Sequence, residues 1–282
     1  MSPGSISNHI IDITAKKLKE FKERSLGKFR LFSVYLDTIH RGGEAFMVAL
    51  GVSLKGKKKV LGFWQGATEN HELCKELLAD LEKRGLKISS RIIFITDGGK
   101  GIIKALRDRI GKTLLHARCA IHKSRNIQRI LAKKYRKEAH RRLMDALKQN
   151  LYADAKKMLR ELEKWLRGIN ESAADSLNEA FEELLTLHRI KVSGKLRKVL
   201  YTTNPIESMF SGVRDCESNV KRYRGSKMMQ RWLSSILLHC EQGFQRVRGY
   251  RTIPAVVAEI ERQQATKPHT AAAQQQPMRL AA

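Results

Sequence analysis

The chain has 282 residues, 42% of them hydrophobic, which is enough for one large core or two smaller ones. Its 55 Lys and Arg outnumber 28 Asp and Glu and give a formal net charge of +27, an imbalance that favours a polyanionic partner, chiefly nucleic acid. Four cysteines far apart with no CxxC pair argue against a disulfide framework, and no apolar run approaches the ~18 residues of a membrane span, so we predict a cytoplasmic protein without a membrane partner.

The first quarter of the chain predicts one helix followed by three strands. Isoleucine, leucine and phenylalanine recur at helical spacing over residues 5–25. Apolar runs follow at 29–37, 44–54 and 58–66, and the turns between them are short and rich in glycine. Turns this short are typical of antiparallel neighbours in a meander.

Two more strands and two helices complete the predicted sheet. A helix is expected from Thr68, as its N-cap, to Gly85, and the apolar run "RIIFIT" is a strand that ends at Asp97. A helix over about 99–109 and a strand within 113–120 follow. The resulting order β-β-β-α-β-α-β predicts a mixed α/β sheet.

From about residue 120 to 190 the sequence is helical. Leucines and a tryptophan repeat at helical spacing, which indicates a block of two or more amphipathic helices with an apolar core stripe. Helices resume after "TTNPIES" and run to about Gly249. The tail "ATKPHTAAAQQQPMRLAA" is of low complexity and is predicted to be disordered.

Three acids stand isolated among basic and apolar residues: Asp37, Asp97 and Glu207. Asp37 is predicted to close the first strand and Asp97 the fourth, and in an α/β sheet such strand ends carry functional sites. Carboxylates side by side repel each other, and a divalent cation removes that repulsion. Mg²⁺ prefers oxygen ligands, and two such ions can promote cleavage of a phosphodiester. A metal site for cutting nucleic acid is therefore one interpretation.

Each acid also has an ordinary structural interpretation. Asp97 precedes glycines and a predicted helix, which it could cap. Asp37 could be a turn residue at the end of a strand. In "NPIE", Asn204 at the N-cap, Pro205 at the first helical position and Glu207 at the third match a capping box. Only the three acids together favour the metal site.

The chain resembles the bacterial insertion-sequence transposases of the mutator type. The resemblance covers about residues 5–250 and depends on the segments "VYLD", "LGFWQGATEN", "RGL", "FITDGGKGIIKA", "RCAIHKSRN", "TTNPIES" and "YRGSKMMQRW". It implies a ribonuclease-H-like mixed sheet with an all-helical insertion and an aspartate–aspartate–glutamate (DDE) triad. The intervals of 60 and 110 residues between Asp37, Asp97 and Glu207 agree with that arrangement.

The resemblance also implies roles for individual residues. Asp37, Asp97 and Glu207 would be the catalytic ligands of two Mg²⁺ ions, for which Mn²⁺ can substitute. Cys119 and His122 match a C-x-x-H signature of the family. Two ligands are too few for zinc, so we expect a structural or DNA-positioning role for that pair, and for Asn204 as part of the family motif.

The expected partner is DNA, both the inverted-repeat ends of the element and the target, bound by a homodimer or larger oligomer in the bacterial nucleoid region of the cytoplasm. The stretch 186–231 has eleven Lys or Arg against three acids and is the predicted DNA surface, although a solvated helix face is the alternative. The individual candidates for contacting DNA are Arg125, Arg214, Lys221, Arg222, Arg224 and Arg231.

The resemblance divides the chain into five parts. They are a remnant of an N-terminal helical DNA-binding region (1–28), the first part of a catalytic core (29–136), the helical insertion (137–200), the second part of the core carrying the glutamate (201–250), and a helical end with the tail (251–282). Because the family's usual N-terminal DNA-binding domain is expected to be largely missing, the sequence indicates an N-terminally truncated protein.

Two alternatives to a DDE transposase are retained. His122 and Arg125 fit the H-x-x-R of tyrosine recombinases, in which Tyr135 or Tyr152 would be the nucleophile and no metal is needed. The other alternative is a truncated, catalytically incompetent derivative that binds DNA and regulates a full-length transposase.

Overall fold

A five-stranded sheet forms the centre of the computed structural model, which describes residues 2–68 and 70–266. The strands are β1 Leu31–Arg41, β2 Glu44–Ser53, β3 Lys58–Gly66, β4 Ile93–Thr96 and β5 Leu115–Arg118. Their spatial order is β3-β2-β1-β4-β5. The first three strands are antiparallel neighbours, whereas β4 is parallel to β1 and β5 is parallel to β4. The predicted mixed α/β sheet is confirmed.

Twelve α-helices surround or extend the sheet within the described residues. They are α1 Pro3–Glu23, α2 His71–Lys83, α3 Lys100–Ile110, α4 Ala120–Ile130, α5 Lys133–Lys148, α6 Tyr152–Arg167, α7 Glu171–Glu179, α8 Phe181–Arg189, α9 Gly194–Leu200, α10 Asn204–Glu217, α11 Ser226–Gln242 and α12 Ile253–Ala265. In the part of the chain that the structure describes, none of them is long and apolar enough to cross a membrane.

The strands bury both faces of the sheet because alternate side chains point to opposite sides. Val34 and Leu36 pack with α2 and α3, whereas Tyr35 packs with α10, α11 and α12 on the other face. A third apolar cluster joins α4 to α8 and forms the core of the helical block. The predicted helical block is thus present as a separately packed unit of structure.

Two details of the sequence prediction are wrong. The first strand does not close at Asp37 but continues to Arg41, where Gly42 and Gly43 adopt positive φ and turn the chain into β2. Asn70, not Thr68, caps α2, since its side chain accepts a hydrogen bond from the Leu73 N–H group. The proposed domain boundary at residue 136 lies inside α5. The predicted disordered tail falls, after residue 266, outside the described residues.

Candidate active site

Asp37 and Asp97 lie at equivalent places on neighbouring parallel strands. Tyr35 of β1 is paired with Ile95 of β4, so the two aspartates lie two residues further along each strand. Strand β4 ends at Thr96, whereas β1 continues as a hairpin with β2. Asp37 therefore lies inside its strand but next to the end of β4, so only β4 ends at the candidate site.

The two aspartates are held by backbone N–H groups. Asp37 Oδ1 accepts a hydrogen bond from the Thr38 N–H group at 2.8 Å, and Asp97 Oδ1 accepts one from Gly99 at 3.0 Å. Gly99 is itself the N-cap of α3, and α3 has no side-chain cap. Asp97 therefore orders the turn before the helix without capping the helix.

Glu207 reaches the site from α10. Thr203, and not Asn204, is the N-cap of this helix, and Asn204 is exposed within its first turn. A capping box would need Glu207 to accept from the N–H group of the N-cap, but Thr203 N–H donates to Cys119 Sγ at 3.4 Å. The Glu207 carboxylate instead accepts a hydrogen bond from the Thr203 hydroxyl. The capping-box interpretation is therefore wrong, and Glu207 remains 32% exposed.

The charges of Asp97 and Glu207 act on Asp37. Burial is the main cause that raises the pKa of Asp37, to about 7. The Thr38 N–H group and His122 oppose this shift, whereas repulsion from Asp97 and from Glu207 increases it. Asp97 and Glu207 are thus both within electrostatic reach of Asp37, although the three acids come from distant parts of the chain.

The pair Cys119 and His122 lies beside Glu207, at the start of α4. Ligand atoms of the three residues are within 4.8 Å of one another, which makes them a possible metal-binding group. However, the Thr203 hydroxyl is 3.3 Å from Cys119 Sγ and 3.3 Å from His122 Nδ1, and it donates to Glu207. The hydroxyl fills the space that an ion shared by these three ligands would need, so the geometry favours the structural role.

Cys119 and His122 shift each other's pKa. Burial would raise the pKa of the Cys119 thiol, but hydrogen bonds from His122 and Thr203 outweigh it and lower that pKa. The hydrogen bond to Cys119 is the main cause that raises the pKa of His122. The pair thereby places a partly exposed imidazole, attractive to anions, next to Glu207 and Asp37.

The predicted DNA-binding residues fall into two groups. Arg125 is exposed on α4, one turn after His122, and Arg214 is exposed on α10, two turns after Glu207 and so on the same face. The other four residues line a groove with a volume of about 1460 Å³ between α1, α11 and the segment that joins α10 to α11: Lys221, Arg222, Arg224 and Arg231. The groove wall also includes apolar side chains of α1.

The tyrosines that a tyrosine recombinase would need belong to the helical block. Tyr135 packs edge-on against Trp165, with ring centroids 6.1 Å apart, and Tyr152 packs on the same cluster. Because His122 is engaged by Cys119 and Thr203 instead, the geometry gives this alternative no support.

Several residues at the site were not expected from the sequence. Thr203 is adjacent to the "NPIES" segment, and its hydroxyl could have been considered with it. Thr96, His116 and Glu183 form a buried polar chain behind Asp97, and no local spacing connects them.

Comparisons with known proteins agree with the resemblance seen in the sequence. The family described as "Transposase, Mutator family" matches residues 1–247. The transposase for insertion sequence element IS1201 of Lactobacillus helveticus is 30% identical over 224 residues, covering 73% of this chain and 56% of the relative. The transposases for IS6120 of Mycolicibacterium smegmatis and IS905 of Lactococcus lactis are 27% and 26% identical, covering 75% and 83% of this chain. The chain spans 67% and 60% of those two relatives.

Proposed function

The chain belongs to the Mutator family of transposases, and on that premise we propose that it cleaves and transfers DNA strands at the ends of an insertion sequence by a DDE two-metal-ion mechanism. One observation carries this proposal. Asp37 on β1 lies beside the end of β4 that precedes Asp97, and the charges of Asp97 and of Glu207, on α10, add to the effect of burial in raising the pKa of Asp37. The chain covers about half to two thirds of several relatives' length. The activity, substrates and partners of this chain are therefore proposals.

The sheet supports a ribonuclease-H-like core as part of this proposal. The order β-β-β-α-β-α-β along the chain, and a sheet in which three antiparallel strands adjoin two parallel ones, are compatible with the mixed sheet that the resemblance implies. The helical block then lies between β5 and α10, in the interval between Asp97 and Glu207.

The donor set fits a hard divalent cation. Asp37, Asp97 and Glu207 offer carboxylate oxygens, the ligands that Mg²⁺ and Mn²⁺ prefer. Burial, and then repulsion from Asp97 and Glu207, raises the pKa of Asp37, and a bound cation would offset that repulsion. When bound, two Mg²⁺ ions supply the charge that activates the attacking oxygen and stabilises the leaving oxygen of a phosphodiester. The thiol–imidazole pair is not needed as a ligand.

The protein's own groups hold and orient the DNA. Arg214 lies on the same face of α10 as Glu207, where it can pair with a phosphate next to the cleaved one. Helix α10 ends at Glu217, about 15 Å from Glu207, beside the basic groove. That distance corresponds to about four nucleotides of one strand. The groove and the carboxylates can thus contact one duplex end, and two ends require at least two copies of the chain.

The test is a nicking assay on labelled duplex DNA that carries the element's own ends, with Mg²⁺ or Mn²⁺. We expect Asp37→Asn and Glu207→Gln to lower strand cleavage by at least about 1,000-fold while DNA binding persists, because each removes a ligand of the reactive centre. Asp215→Asn, an exposed acid on the same helix as Glu207, is the matched control and should cleave normally.

Two results would contradict the proposal. Cleavage by Asp37→Asn or Glu207→Gln at the wild-type rate would exclude the triad, and cleavage in EDTA would exclude a metal mechanism. If the wild-type chain bound the ends but cleaved nothing with either metal, the regulatory derivative would be the better description.

A further inference from the structure

A buried chain of polar groups connects the helical block to the turn that carries Asp97. Thr96 Oγ1 accepts a hydrogen bond from the Gly98 N–H group at 3.0 Å and lies 2.8 Å from His116 Nε2. His116 Nδ1 lies 3.2 Å from Glu183 Oε1, close enough for an ion pair although not aligned as a hydrogen bond. Thr96 is fully buried, and His116 is 4% exposed. These polar groups thus link α8, through β5, to the end of β4.

The proton positions along this chain follow from the partners. The Glu183 carboxylate favours a proton on His116 Nδ1, which leaves Nε2 as an acceptor for the Thr96 hydroxyl. The oxygen of that hydroxyl then has lone pairs for the Gly98 N–H group. Each group therefore has one defined role, and the backbone on one side of Asp97 is fixed by a side chain that α8 orients.

Arg118 holds the same turn from the next strand. Gly98 has a φ of +95°, and a Cβ atom there would lie 1.6 Å from Arg118 Cζ, so the guanidinium packs directly on the Gly98 backbone. Arg118 is 4% exposed, and its Nη1 is 3.3 Å from Glu179 and 3.3 Å from Glu183. Both acids belong to the helical block. Glu183 therefore orients two residues that fix the Asp97 turn.

A second contact holds α8 in register with β5. The Thr186 hydroxyl donates to the His116 carbonyl oxygen at 2.6 Å, one helical turn after Glu183. This contact fixes the position of Glu183 along the strand. The three side chains Glu183, His116 and Thr96 thus lie on three regular elements, α8, β5 and β4, and not on a loop, as a precise site requires.

We propose that Glu183, through His116 and Thr96, is a positioning residue that holds the Asp97 carboxylate in the geometry needed to bind the divalent cation. The inference depends on the proposed function, since it assumes that Asp97 is a ligand. The helical block would then contribute to the catalytic core by ordering the turn that carries one metal ligand. Displacing α8 would leave the position of Asp97 less well fixed, although none of the three acids would be substituted.

The experiment measures Mn²⁺ binding to the purified full chain by electron paramagnetic resonance, together with the Mn²⁺ dependence of nicking. Glu183→Gln keeps the shape of the side chain but removes its charge, and Thr96→Val keeps the volume but removes the hydroxyl. We expect each to weaken Mn²⁺ binding about 10-fold, as is typical for groups that orient a metal ligand. Saturating Mn²⁺ should restore most of the nicking rate, and Thr96→Ser should restore tight binding.

The matched control is Glu182→Gln, which removes the same charge from the neighbouring, exposed position of α8. It should bind Mn²⁺ as the wild type does. Thermal melting of every variant shows whether it is folded, and if Glu183→Gln fails to fold, the comparison of Thr96→Val with Thr96→Ser decides the question.

The outcomes separate this inference from the proposed function. If Asp97→Asn binds Mn²⁺ as tightly as the wild type, the metal site itself is wrong. If Asp97→Asn weakens binding but folded Glu183→Gln and Thr96→Val do not, the metal site stands and the positioning chain is overturned.

Discussion

A threonine hydroxyl lies behind two of the three carboxylates at the site. The Thr203 hydroxyl donates to Glu207, and Thr96 Oγ1 accepts from the Gly98 N–H group next to Asp97. Both threonines are buried, and a β-branched side chain has few rotamers, so each hydroxyl points in one direction. Each also contacts a histidine, His122 for Thr203 and His116 for Thr96. Stiff, short side chains thus help to fix the geometry around Asp97 and Glu207.

His188 predicts a pH dependence of stability that is independent of the site. It is 4% exposed on α8, and its Nε2 lies 3.1 Å from the Gln149 carbonyl oxygen. Burial, and then the charge of Arg197, lowers its pKa to about 4. The unfolded chain, with a histidine pKa of about 6.5, binds the proton more tightly, so protonation favours unfolding. The stabilisation is complete above pH 6.5 and is lost as the pH falls towards 4, by about 2–3 kcal/mol.

Urea unfolding of wild type and His188→Gln between pH 4.5 and 7.5 checks this prediction. The free energy of unfolding of the wild type should fall faster with decreasing pH than that of His188→Gln. His9→Gln, at an exposed position of α1, should follow the wild-type curve. Parallel curves for wild type and His188→Gln would show that His188 is not held neutral.

At the scale of elements, the turn between β4 and α3 makes a quantitative prediction. Gly98→Ala must place a methyl group into the Arg118 guanidinium at a positive φ, so we expect it to lower the free energy of unfolding by roughly 3–5 kcal/mol. Gly111, at the other end of α3, has a φ of +79° with no atom within 4 Å of the added Cβ. Gly111→Ala should therefore cost about 1–3 kcal/mol, the strain of a backbone conformation that almost only glycine adopts.

Urea denaturation of both alanine variants measures the two costs. Their difference reports the close packing of Arg118 on the Gly98 backbone. Equal costs would mean that Arg118 moves aside freely and does not hold the Asp97 turn.

The elements were predictable where the signal is local. Apolar periodicity located every strand of the sheet, and the short glycine turns predicted the antiparallel meander. The end of β1 was not predictable, because Thr38, His40 and Arg41 are polar and only the pairing of this segment with β2 makes it a strand. The N-cap of α10 was a choice between two adjacent residues that both cap helices well, and the distant Cys119 decides it by binding Thr203.

The candidate site, too, was predictable only where the sequence signal is local. Asp37, Asp97 and Glu207 stand out in the sequence because each is isolated among basic or apolar residues. Glu183 and His116 carry no such signal, since a charged residue on an amphipathic helix and a histidine in a short strand are both ordinary. Only the packing of α8 against β5 brings them together.

For the whole molecule, α10 connects the candidate site to the basic groove. This helix begins at the carboxylates and ends at Glu217, which pairs with Arg41 at the end of β1. The basic groove lies just beyond, with Ile10 and Ile11 of α1 exposed in its wall. Negative charge is thus concentrated where a cation is proposed to bind, and positive charge lies where the flanking DNA would continue.

Charge removal in the groove should change the salt dependence of DNA binding more than its specificity. We expect Lys221→Gln, Arg222→Gln and Arg224→Gln combined to lower the magnitude of the slope of log K against log salt by about 2–3, because each neutralised phosphate contributes about 0.9. A control that removes equal charge from exposed lysines of the helical block, Lys137, Lys157 and Lys164 to Gln, should leave the slope nearly unchanged if those residues do not contact DNA. Fluorescence anisotropy on one duplex over a salt series measures both slopes. Equal slopes for the two triple variants would mean that net charge alone, and not the groove, attracts the DNA.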